Sequence, residues 1–242
     1  MAVRWIACAD STSTRMASEA SLYAHGDALA THTQTAGRGQ RGNSWEAEPG
    51  KNLTFSLMLR PEGLRAADAF HLSMAVSVGI VKALRRLLGA EVVLKWPNDI
   101  YVGDRKLCGI LIENSLTGPY VAQSIVGIGI NVNQTEFTSP APNPVSMAQL
   151  AGHEFPLEAT LAEVIEAIVA EYDEYERTRD LPALHSAYEA WLWRGKGEWT
   201  WHDNLTGETL RAAIQSVAPT GHLTLATNPP RTYAFKEVSA VL

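Results

Sequence analysis

The amino-acid sequence predicts an α+β fold, in which a β-sheet with flanking helices is followed by a small β-barrel. The chain has 242 residues, of which 46% are apolar, and this is enough to build a large core. Its first 135 residues alternate between strand-like and helix-like segments. From residue 195 onward, short β-rich runs lie between turn residues. We therefore expect a larger domain at residues 1–194 and a small β-barrel domain at residues 195–242.

The larger domain is predicted to begin with strands and helices in alternation. The polar cluster at residues 10–14 follows a β-rich run and suits a helix N-terminus, because short hydroxyls cap free backbone N–H groups. A longer helix is predicted at residues 70–88, where apolar side chains recur every three or four positions and Gly89 suits the C-terminal cap. Strands are predicted at residues 3–8, 53–59, 92–96 and 123–133.

The second half of the chain is predicted to contain a loop, two helices and the small barrel. Four prolines between residues 135 and 159 indicate a long loop with a short helical piece. Thr160 and Glu163 are spaced as a capping box for a helix that begins there, and another helix is predicted at residues 181–193. The barrel strands are predicted at residues 199–201, 210–217, 222–226 and 232–235.

Charge and composition argue against several classes of protein. Twenty lysines and arginines against 26 aspartates and glutamates give a net charge of −6, which disfavours broad binding to a nucleic-acid backbone. No window approaches 18 uninterrupted apolar residues and the N-terminus lacks a secretory signal, so we expect neither a membrane span nor export. Cys8 and Cys108 lack metal-site spacing, as do the histidines. A reduced cytoplasmic protein is the expected setting.

A glycine-rich basic segment at residues 37–51 is the first candidate for ligand binding. Residues 37–42 satisfy the spacing G-x-G-x-x-G, but no helical pattern follows and no Gly-Lys-Ser/Thr completes a Walker A loop, so we discount both nucleotide motifs. Glycine amides beside Arg38, Arg41 and Lys51 suit an anionic ligand, over which the segment could order. A solvated basic loop is an equally good interpretation.

Two lysines flank a short hairpin-like crossing further along the chain. Lys95 lies at the end of a predicted strand, and Lys106 lies just before an apolar run. The two could converge on a phosphate, although lysines at strand ends are more often solvated. Trp45 could cover an adenine. Asn131 and Asn133 are predicted on one side of a strand, where an amide could read a base or close a turn.

Four ordered motifs of this chain resemble those of the biotin protein ligases. They are Gln34-Thr-Ala-Gly-Arg-Gly-Gln-Arg-Gly-Asn-Ser-Trp45, Lys95-Trp-Pro-Asn-Asp99, Arg105-Lys-Leu-Cys-Gly-Ile-Leu111 and Gly127-Ile-Gly-Ile-Asn131. Asp10-Ser11-Thr12 also resembles the start of that family's catalytic domain, and residues 233–238 resemble the end of its Src-homology-3-like barrel. The resemblance covers nearly the whole chain. It implies a catalytic domain of the class II synthetase/biotin–lipoate ligase type, built on a mixed β-sheet.

The resemblance also implies a two-step reaction and the residues that perform it. Biotin and Mg²⁺-bound ATP would give biotinyl-5′-AMP and pyrophosphate, and the acyl group would pass to a lysine of a biotin carboxyl carrier domain. Lys106, Arg38 and Lys95 are implied as catalytic, since cations offset the charge around the α-phosphate. The implied biotin contacts are Ser11, Thr12, Ser13, Gln34, Gly37, Arg38, Gly39, Gln40, Lys106, Gly109 and Leu111. The implied ATP or adenylate contacts are Arg38, Arg41, Trp45, Lys95 and Asn131. Asp99 is a candidate ligand for magnesium.

The chain departs from the family's motifs at a few positions. Ser13 stands where many members have Asn, and Gln40 and Asn43 replace arginines of the most basic loops. Because the catalytic motif begins at Asp10, we expect no N-terminal winged-helix domain and no DNA binding. The oligomeric state stays open, with a homodimer as one option.

Two other functions remain alternatives to a biotin ligase. A lipoate–protein ligase would share the fold and the adenylate chemistry, although Ser11, Thr12 and Gln34 favour a ureido ring over a dithiolane. A non-catalytic biotin-binding module would not need a phosphate site, so the presence of Lys95 and Lys106 argues against it.

Overall fold

A seven-stranded mixed sheet lies at the centre of the fold. The computed structural model describes residues 1–39, 44–138 and 143–241. In chain order the strands are β1 (Val3–Ala9), β2 (Ala28–Gln34), β3 (Leu53–Leu59), β4 (Val92–Lys95), β5 (Asp99–Val102), β6 (Arg105–Thr117) and β7 (Tyr120–Ile130). Their spatial order is β1-β2-β3-β7-β6-β5-β4, with β1 and β2 parallel and the other neighbouring pairs antiparallel. The predicted mixed sheet is therefore confirmed.

Helices cover both faces of this sheet. They are α1 (Thr12–Ser18), α2 (Phe70–Leu88), α3 (Met147–Ala151), α4 (Leu157–Thr178) and α5 (Leu181–Ala190), with short 3₁₀ turns at Ala20–Leu22 and Ala66–Asp68. Helix α2 packs on α4 and on α5 in the main core. Helix α1 packs on β2, β3 and β7, where Met16 belongs to a separate small apolar cluster. Part of the sheet face that α1 shares is left for a ligand cavity.

Alternation along the central strands makes the two faces of the sheet chemically different. Successive side chains of a strand point to opposite faces. On β6 and β7 one face carries larger apolar side chains and the other carries three glycines and one leucine. The core side carries Cys108, Ile110, Val126, Ile128 and Ile130, and the opposite side carries Gly109, Leu111, Gly127 and Gly129. The alternation predicted for residues 123–133 is thereby confirmed, although the strand ends at Ile130 and Asn131 follows it.

The helix ends agree with the sequence in two cases and correct it in a third. Ser11 caps α1, where its Oγ accepts from the Thr14 N–H, and Gly89 ends α2 with a φ of 59°. Helix α4 begins at Leu157 after Pro156, so the capping box predicted at Thr160 is wrong. Thr160 Oγ1 instead donates to the Pro156 carbonyl at 2.8 Å. Proline has its φ preset for a helix start, and this moves the boundary one turn earlier.

Several strand boundaries also differ from the prediction. Strands β2 and β5 have no counterpart in the predicted elements, and β6 begins at Arg105, well before the apolar run that signalled it. Helix α5 ends at Ala190 instead of at residue 193. These segments are held by pairing with neighbours across the sheet, which a local pattern does not contain.

The C-terminal β-region, residues 195–241, forms two three-stranded sheets. Its strands are β8 (Trp199–Asp203), β9 (Thr209–Ala212), β10 (Ile214–Val217), β11 (Leu223–Leu225), β12 (Arg231–Tyr233) and β13 (Val238–Ala240). One sheet has the order β10-β11-β12 and the other β13-β8-β9. The Tyr233 hydroxyl donates to Asp203 Oδ2 at 2.9 Å and joins the two sheets. The strand predicted at 210–217 is divided at Ala213.

One helix has the length and composition of a membrane span, where the sequence had led us to expect none. The segment Ala66–Leu88 has a mean hydropathy of 1.3, but 67% of its apolar window is buried within the protein. Core helices pass the same test of length and hydropathy. Its burial against α4 is that of a core helix.

Candidate active site

A cavity of about 680 Å³ lies between the sheet and the C-terminal β-region. Glycines form its floor: Gly109 of β6 pairs with Gly129 of β7, and Gly127 lies one position further along that face. A Cβ at Gly129 would lie 2.2 Å from Trp45 Cε2, and one at Gly109 would lie 3.0 Å from Trp45 Cζ3. Glycine is therefore required for the indole to rest on the sheet in this position.

One end of the cavity is a buried cluster of hydroxyls and an amide. Ser11 and Ser13 place their Oγ atoms 3.1 Å apart at the start of α1. Thr12 Oγ1 lies 2.9 Å from Ser56 Oγ, and the Thr12 N–H donates to Gln34 Oε1 at 2.9 Å. The predicted biotin contacts Ser11, Thr12, Ser13 and Gln34 are thus brought together. Buried hydroxyls with adaptable donor and acceptor roles suit a small polar ring.

Arg38 links this polar end to the glycine-rich segment. Its Nη2 donates to Ser13 Oγ at 3.0 Å and to Glu113 Oε2 at 2.5 Å, and its Nη1 donates to Glu113 Oε1 at 3.1 Å. Gly37 packs tightly against the Trp45 backbone, since a Cβ at Gly37 would lie 2.5 Å from the Trp45 carbonyl oxygen. Gly39 also lines the cavity. The Arg38 side chain is two-fifths exposed, so a second anion can reach it.

The middle of the cavity carries an ion pair. Lys106 Nζ lies 2.7 Å from Asp99 Oδ1, across the hairpin of β5 and β6, and both side chains are about three-quarters buried. The same ammonium lies 5.8 Å from the Trp45 ring centroid. Lys106 and Leu111 are five residues apart on β6, which corresponds to about 16 Å of extended chain. The cavity is therefore long enough for an elongated ligand.

Lys95 lies beyond Lys106 in an aromatic surrounding. Its Nζ donates to the Tyr101 hydroxyl at 3.0 Å and lies 4.7 Å from the Tyr101 centroid and 5.6 Å from the Trp193 centroid. Burial lowers the pKa of Lys95 below its usual value; Asp99 opposes this, and the positive charges of Lys106 and Arg194 add to it. The two predicted lysines, from either end of the hairpin, thus line one cavity.

Asn131 lines the cavity, but its side-chain amide is hydrogen-bonded to the backbone. Its Nδ2 donates to the Val145 carbonyl at 3.1 Å and to the Lys106 carbonyl at 3.4 Å. Asn133 braces another loop, because its Nδ2 donates to the Phe155 carbonyl and its Oδ1 accepts from the Phe155 N–H. Neither amide closes a local turn, because these hydrogen bonds join segments that are 14 to 25 residues apart in the chain. Base reading by Asn131 stays a prediction.

Some predicted contacts lie away from the cavity or beyond what the structure describes. Gln40 and Arg41 lie outside the described residues. Lys51 pairs with Glu154 at 2.9 Å and does not line the cavity. Asp99 is engaged by Lys106, and no group of three or more metal-ligating side chains occurs in the described part of the chain.

The sequence did not reveal that the C-terminal β-region forms a wall of the same cavity. The wall residues are Trp201, Ile214, Phe235, Lys236, Val238, Ser239 and Ala240. The motif at residues 233–238 resembles the end of the small barrel of the biotin protein ligases, but it gave no role for these side chains. Nothing local in that motif points to a site, because the partner surface around Trp96 lies far away in the chain.

Comparison with known proteins identifies the kinship of this chain. The model of the Biotin/lipoate A/B protein ligase family matches residues 5–131, which is more than half of the sequence. The chain belongs to this family. The matched segment contains all four of the quoted motifs and nearly the whole seven-stranded sheet.

Individual members of the biotin/lipoate ligase family agree with this assignment. A biotin–[acetyl-CoA-carboxylase] ligase of Paracoccus denitrificans is 33% identical over 167 residues, covering 66% of this chain and 67% of that protein. The bifunctional ligase/repressor of Escherichia coli is 42% identical over 125 residues, covering 51% of this chain but only 38% of its own length. The biotin protein ligase from Aquifex aeolicus in complex with biotin and ATP has a TM-score of 0.81 at 24% identity, with 98% and 97% of the two chains covered. That last similarity shows that the two share a fold.

Proposed function

We propose that this protein is an ATP-dependent ligase that activates biotin as biotinyl-5′-AMP and transfers it to a lysine of a biotin carboxyl carrier domain. The observation that carries the proposal is one continuous cavity with two chemically different ends. Hydroxyls and an amide lie at one end, and lysines lie at the middle and at the other end. This order fits a molecule with a polar ring, an apolar chain and a carboxylate that must meet a phosphate.

The polar end fits the ureido ring of biotin. That ring offers one carbonyl acceptor and two N–H donors, and the hydroxyls of Ser11, Thr12 and Ser13 with the amide of Gln34 can satisfy all of them. Leu111, Gly109 and the glycines of the loop would flank the apolar part of the ligand. Burial matters here, because a site that leaves its own polar groups unpaired rejects a ligand without hydrogen-bonding groups.

Activation is assigned to Lys106 and Arg38. A carboxylate oxygen of biotin attacks the α-phosphorus of ATP, the bond from that phosphorus to the bridging oxygen of pyrophosphate breaks, and biotinyl-5′-AMP forms. Two anions must approach each other in this step, and Lys106, which lines the middle of the cavity, would offset the charge that accumulates there. Arg38 must share its guanidinium between Glu113 and the ligand, which its exposure allows.

The nucleotide is assigned to the far end of the cavity. Lys95 would contact the phosphates, Trp45 would pack on adenine, Asn131 would read the base edge, and Arg41 would add a further positive charge. Magnesium would arrive as the ATP complex, since Asp99 is occupied by Lys106. In the second step the ε-amine of the acceptor lysine attacks the acyl carbon, AMP departs with the electron pair of the acyl C–O bond, and the amine loses a proton.

Two features of the architecture belong to the same proposal. We assign residues 1–194 to a biotin- and ATP-binding domain and residues 195–242 to a second domain, whose two small sheets would form an Src-homology-3-like barrel. The hydrogen bond between Tyr233 and Asp203 supports this arrangement, because it joins the two sheets at a buried point. The carrier partner follows from the names of similar proteins, such as the Paracoccus denitrificans biotin–[acetyl-CoA-carboxylase] ligase.

The test is ATP–pyrophosphate exchange by the full chain with biotin, with lipoate or with neither. We expect exchange with biotin alone, and a loss of about 100-fold in Lys106→Ala, because a charge at the reacting centre is removed. Lys82→Ala is the matched control, since Lys82 pairs with Glu171 on the helical side of the protein. Exchange with lipoate would contradict the assignment of biotin as the substrate. A folded protein that catalyses no exchange would contradict the proposed activity. Transfer is then measured as the mass gain of a carrier domain.

A further inference from the structure

We infer that Lys236 of the C-terminal β-region binds the β- and γ-phosphates of ATP and holds the pyrophosphate as it departs. The inference deepens the proposed function and rests on it. Lys236 lines the same cavity as Lys95, Trp96 and Asp99, although it comes from the other part of the chain. No motif assigned it a role.

The turn that carries Lys236 is fixed in shape. It connects β12 to β13, and Lys236 has a φ of 70°, in the left-handed region. The Ala234 N–H donates to Glu237 Oε2 at 2.7 Å, and the Glu237 N–H donates to the Ala234 carbonyl at 3.1 Å. Asn204 Nδ2 donates to the Lys236 carbonyl at 2.8 Å. A non-glycine residue in this region is held there by its surroundings, so the direction in which the Lys236 side chain leaves the backbone is set.

Aromatic contacts anchor the turn at the nucleotide end of the cavity. Phe235 packs edge-on against Trp96, with ring centroids 6.2 Å apart. Trp96 Nε1 in turn donates to the Gly221 carbonyl of the C-terminal β-region at 2.9 Å. Because Trp96 directly follows Lys95 in the chain, these contacts bring the turn that carries Lys236 next to the segment that carries Lys95, and both lysines line the cavity.

The charges around the cavity leave Lys236 available for an anion. Four cations of the described residues line the cavity: Arg38, Lys95, Lys106 and Lys236. Arg38 pairs with Glu113 and Lys106 pairs with Asp99, whereas Lys236 forms no ion pair within the described ranges. Its Nζ instead lies 5.7 Å from the Phe235 centroid. A triphosphate that extends past Lys106 carries more charge than Lys95 alone can offset, and Lys236 is placed to supply the remainder.

The test compares Lys236→Met and Lys236→Arg with the unaltered protein. Methionine keeps the stem that packs on Phe235 and removes only the charge. In biotin-dependent exchange we expect Lys236→Met to raise the KM for ATP by about 10-fold and leave the KM for biotin within twofold. Lys236→Arg should restore most of the affinity for ATP. Lys196→Met is the matched control, since Lys196 is an exposed lysine of the same β-region that does not line the cavity.

The outcomes separate this inference from the function on which it rests. An unaltered protein that catalyses exchange, beside a Lys236→Met variant with an unchanged KM for ATP, overturns the role of Lys236 alone. An equal rise in both KM values points to a general structural effect and overturns it as well. Calorimetric titration with ATP gives a second measurement, in which Lys236→Met should bind about 10-fold more weakly. If the unaltered protein neither exchanges nor binds ATP, the proposed function and this inference both fail.

Discussion

The buried ammonium group of Lys95 lowers the stability of the folded protein. Burial between Tyr101 and Trp193 lowers its pKa from the usual value of 10.5, since water no longer solvates the charged form. Asp99 partly opposes the shift. Between the lowered pKa and 10.5 the unfolded chain binds more protons than the folded one, so the free energy of unfolding rises with pH in that window. Below it, the protein bears the cost of a buried cation.

We expect Lys95→Met to remove this pH dependence. The variant should be as stable as the unaltered protein or more stable near neutral pH, because replacing a buried charge by an apolar side chain is often neutral or stabilising. Urea unfolding at pH values from 7 to 10 measures the free energy directly. The unaltered protein should gain stability relative to Lys95→Met as the pH rises. Parallel curves for the two proteins would show that the Lys95 charge is not destabilised by folding.

The position of Trp45 depends on the absence of a side chain at Gly129. We expect Gly129→Ala to push the indole off the sheet, since a Cβ would lie 2.2 Å from Trp45 Cε2. The protein labelled with 5-fluorotryptophan reports this as a shifted ¹⁹F resonance for Trp45, assigned by its loss in Trp45→Phe. Gly127→Ala is the control, because the three atoms nearest to its Cβ would be Leu111 O at 3.4 Å and Cβ and Oγ of Ser13 at 3.8 Å. An unmoved resonance in Gly129→Ala would contradict this packing.

The elements with strong local signals were the ones that the sequence predicted. Helix α2 and strand β3 occur at the predicted residues, since their apolar spacing and, for α2, the glycine cap are both local. Strand β2, with the sequence ALATHTQ, has no β-rich pattern and is defined by its pairing with β1 and β3. Its recognition requires the neighbours, because strand preference depends on the surroundings.

The candidate site divides in the same way between local and distant contributions. The hydroxyls at the start of α1 and the lysines of the β4–β6 hairpin stand in recognisable motifs, and the cavity brings them together. Glu113 carries no motif, and its pairing with Arg38 depends on the register of β6. The turn with Phe235 and Lys236 reaches the cavity only through packing between two parts of the chain. Sequence spacing contains no record of such contacts.

Helix α2 crosses α4 at a glycine, and we expect Gly79→Ala to be destabilising. Helix propensity alone would favour alanine by about 1 kcal/mol. A Cβ at Gly79, however, would lie 2.6 Å from Ile168 Cα and 2.8 Å from the Ala167 oxygen, and backbone atoms cannot move aside cheaply. The cost of overpacking should therefore exceed the gain in helix propensity, and the free energy of unfolding should fall by about 1–3 kcal/mol. Each kcal/mol lowers the Tm by about 2–4 °C in a protein of this size.

Thermal unfolding measures the effect of Gly79→Ala against a control on the same helix. Ser77→Ala adds no volume at a buried position two residues earlier, so its Tm should stay the same or rise slightly. A raised Tm in Gly79→Ala would show that the two helices have room to separate.

The cavity is complete only when the C-terminal β-region is in place against the rest of the protein. Helix α5 contacts the end of β10, where Glu189 Oε1 accepts from the Val217 N–H at 2.9 Å. Trp96 reaches across to Gly221. Since the Lys236 turn lies on one side of this interface and Lys95 and Lys106 lie on the other, the affinity for ATP should depend on contacts that touch no ligand.

Arg194 is the residue at which this dependence can be tested. Its guanidinium lies 4.1 Å from the Trp193 centroid and 4.7 Å from the Trp199 centroid, and its Nη1 donates to the Val241 carbonyl at 2.8 Å. The side chain is only 6% exposed, so these contacts are shielded from water. We expect Arg194→Ala to lower the free energy of unfolding by about 2–3 kcal/mol. It should also raise the KM for ATP, because the nearby C-terminal strand is no longer held.

Urea unfolding and exchange kinetics of Arg194→Ala together decide whether the interface supports the site. Arg211→Ala is the control, since this arginine of β9 is exposed and forms an exposed ion pair with Glu198 at 3.6 Å. Exposed ion pairs contribute little, so its loss should change the free energy of unfolding by less than about 0.5 kcal/mol. Arg194→Lys should fall between the two, because an ammonium lacks the planar surface that stacks on both rings. Equal stabilities for the Arg194 and Arg211 variants would contradict the stacking. A lower stability of Arg194→Ala with an unchanged KM for ATP would show that these interface contacts do not support nucleotide binding.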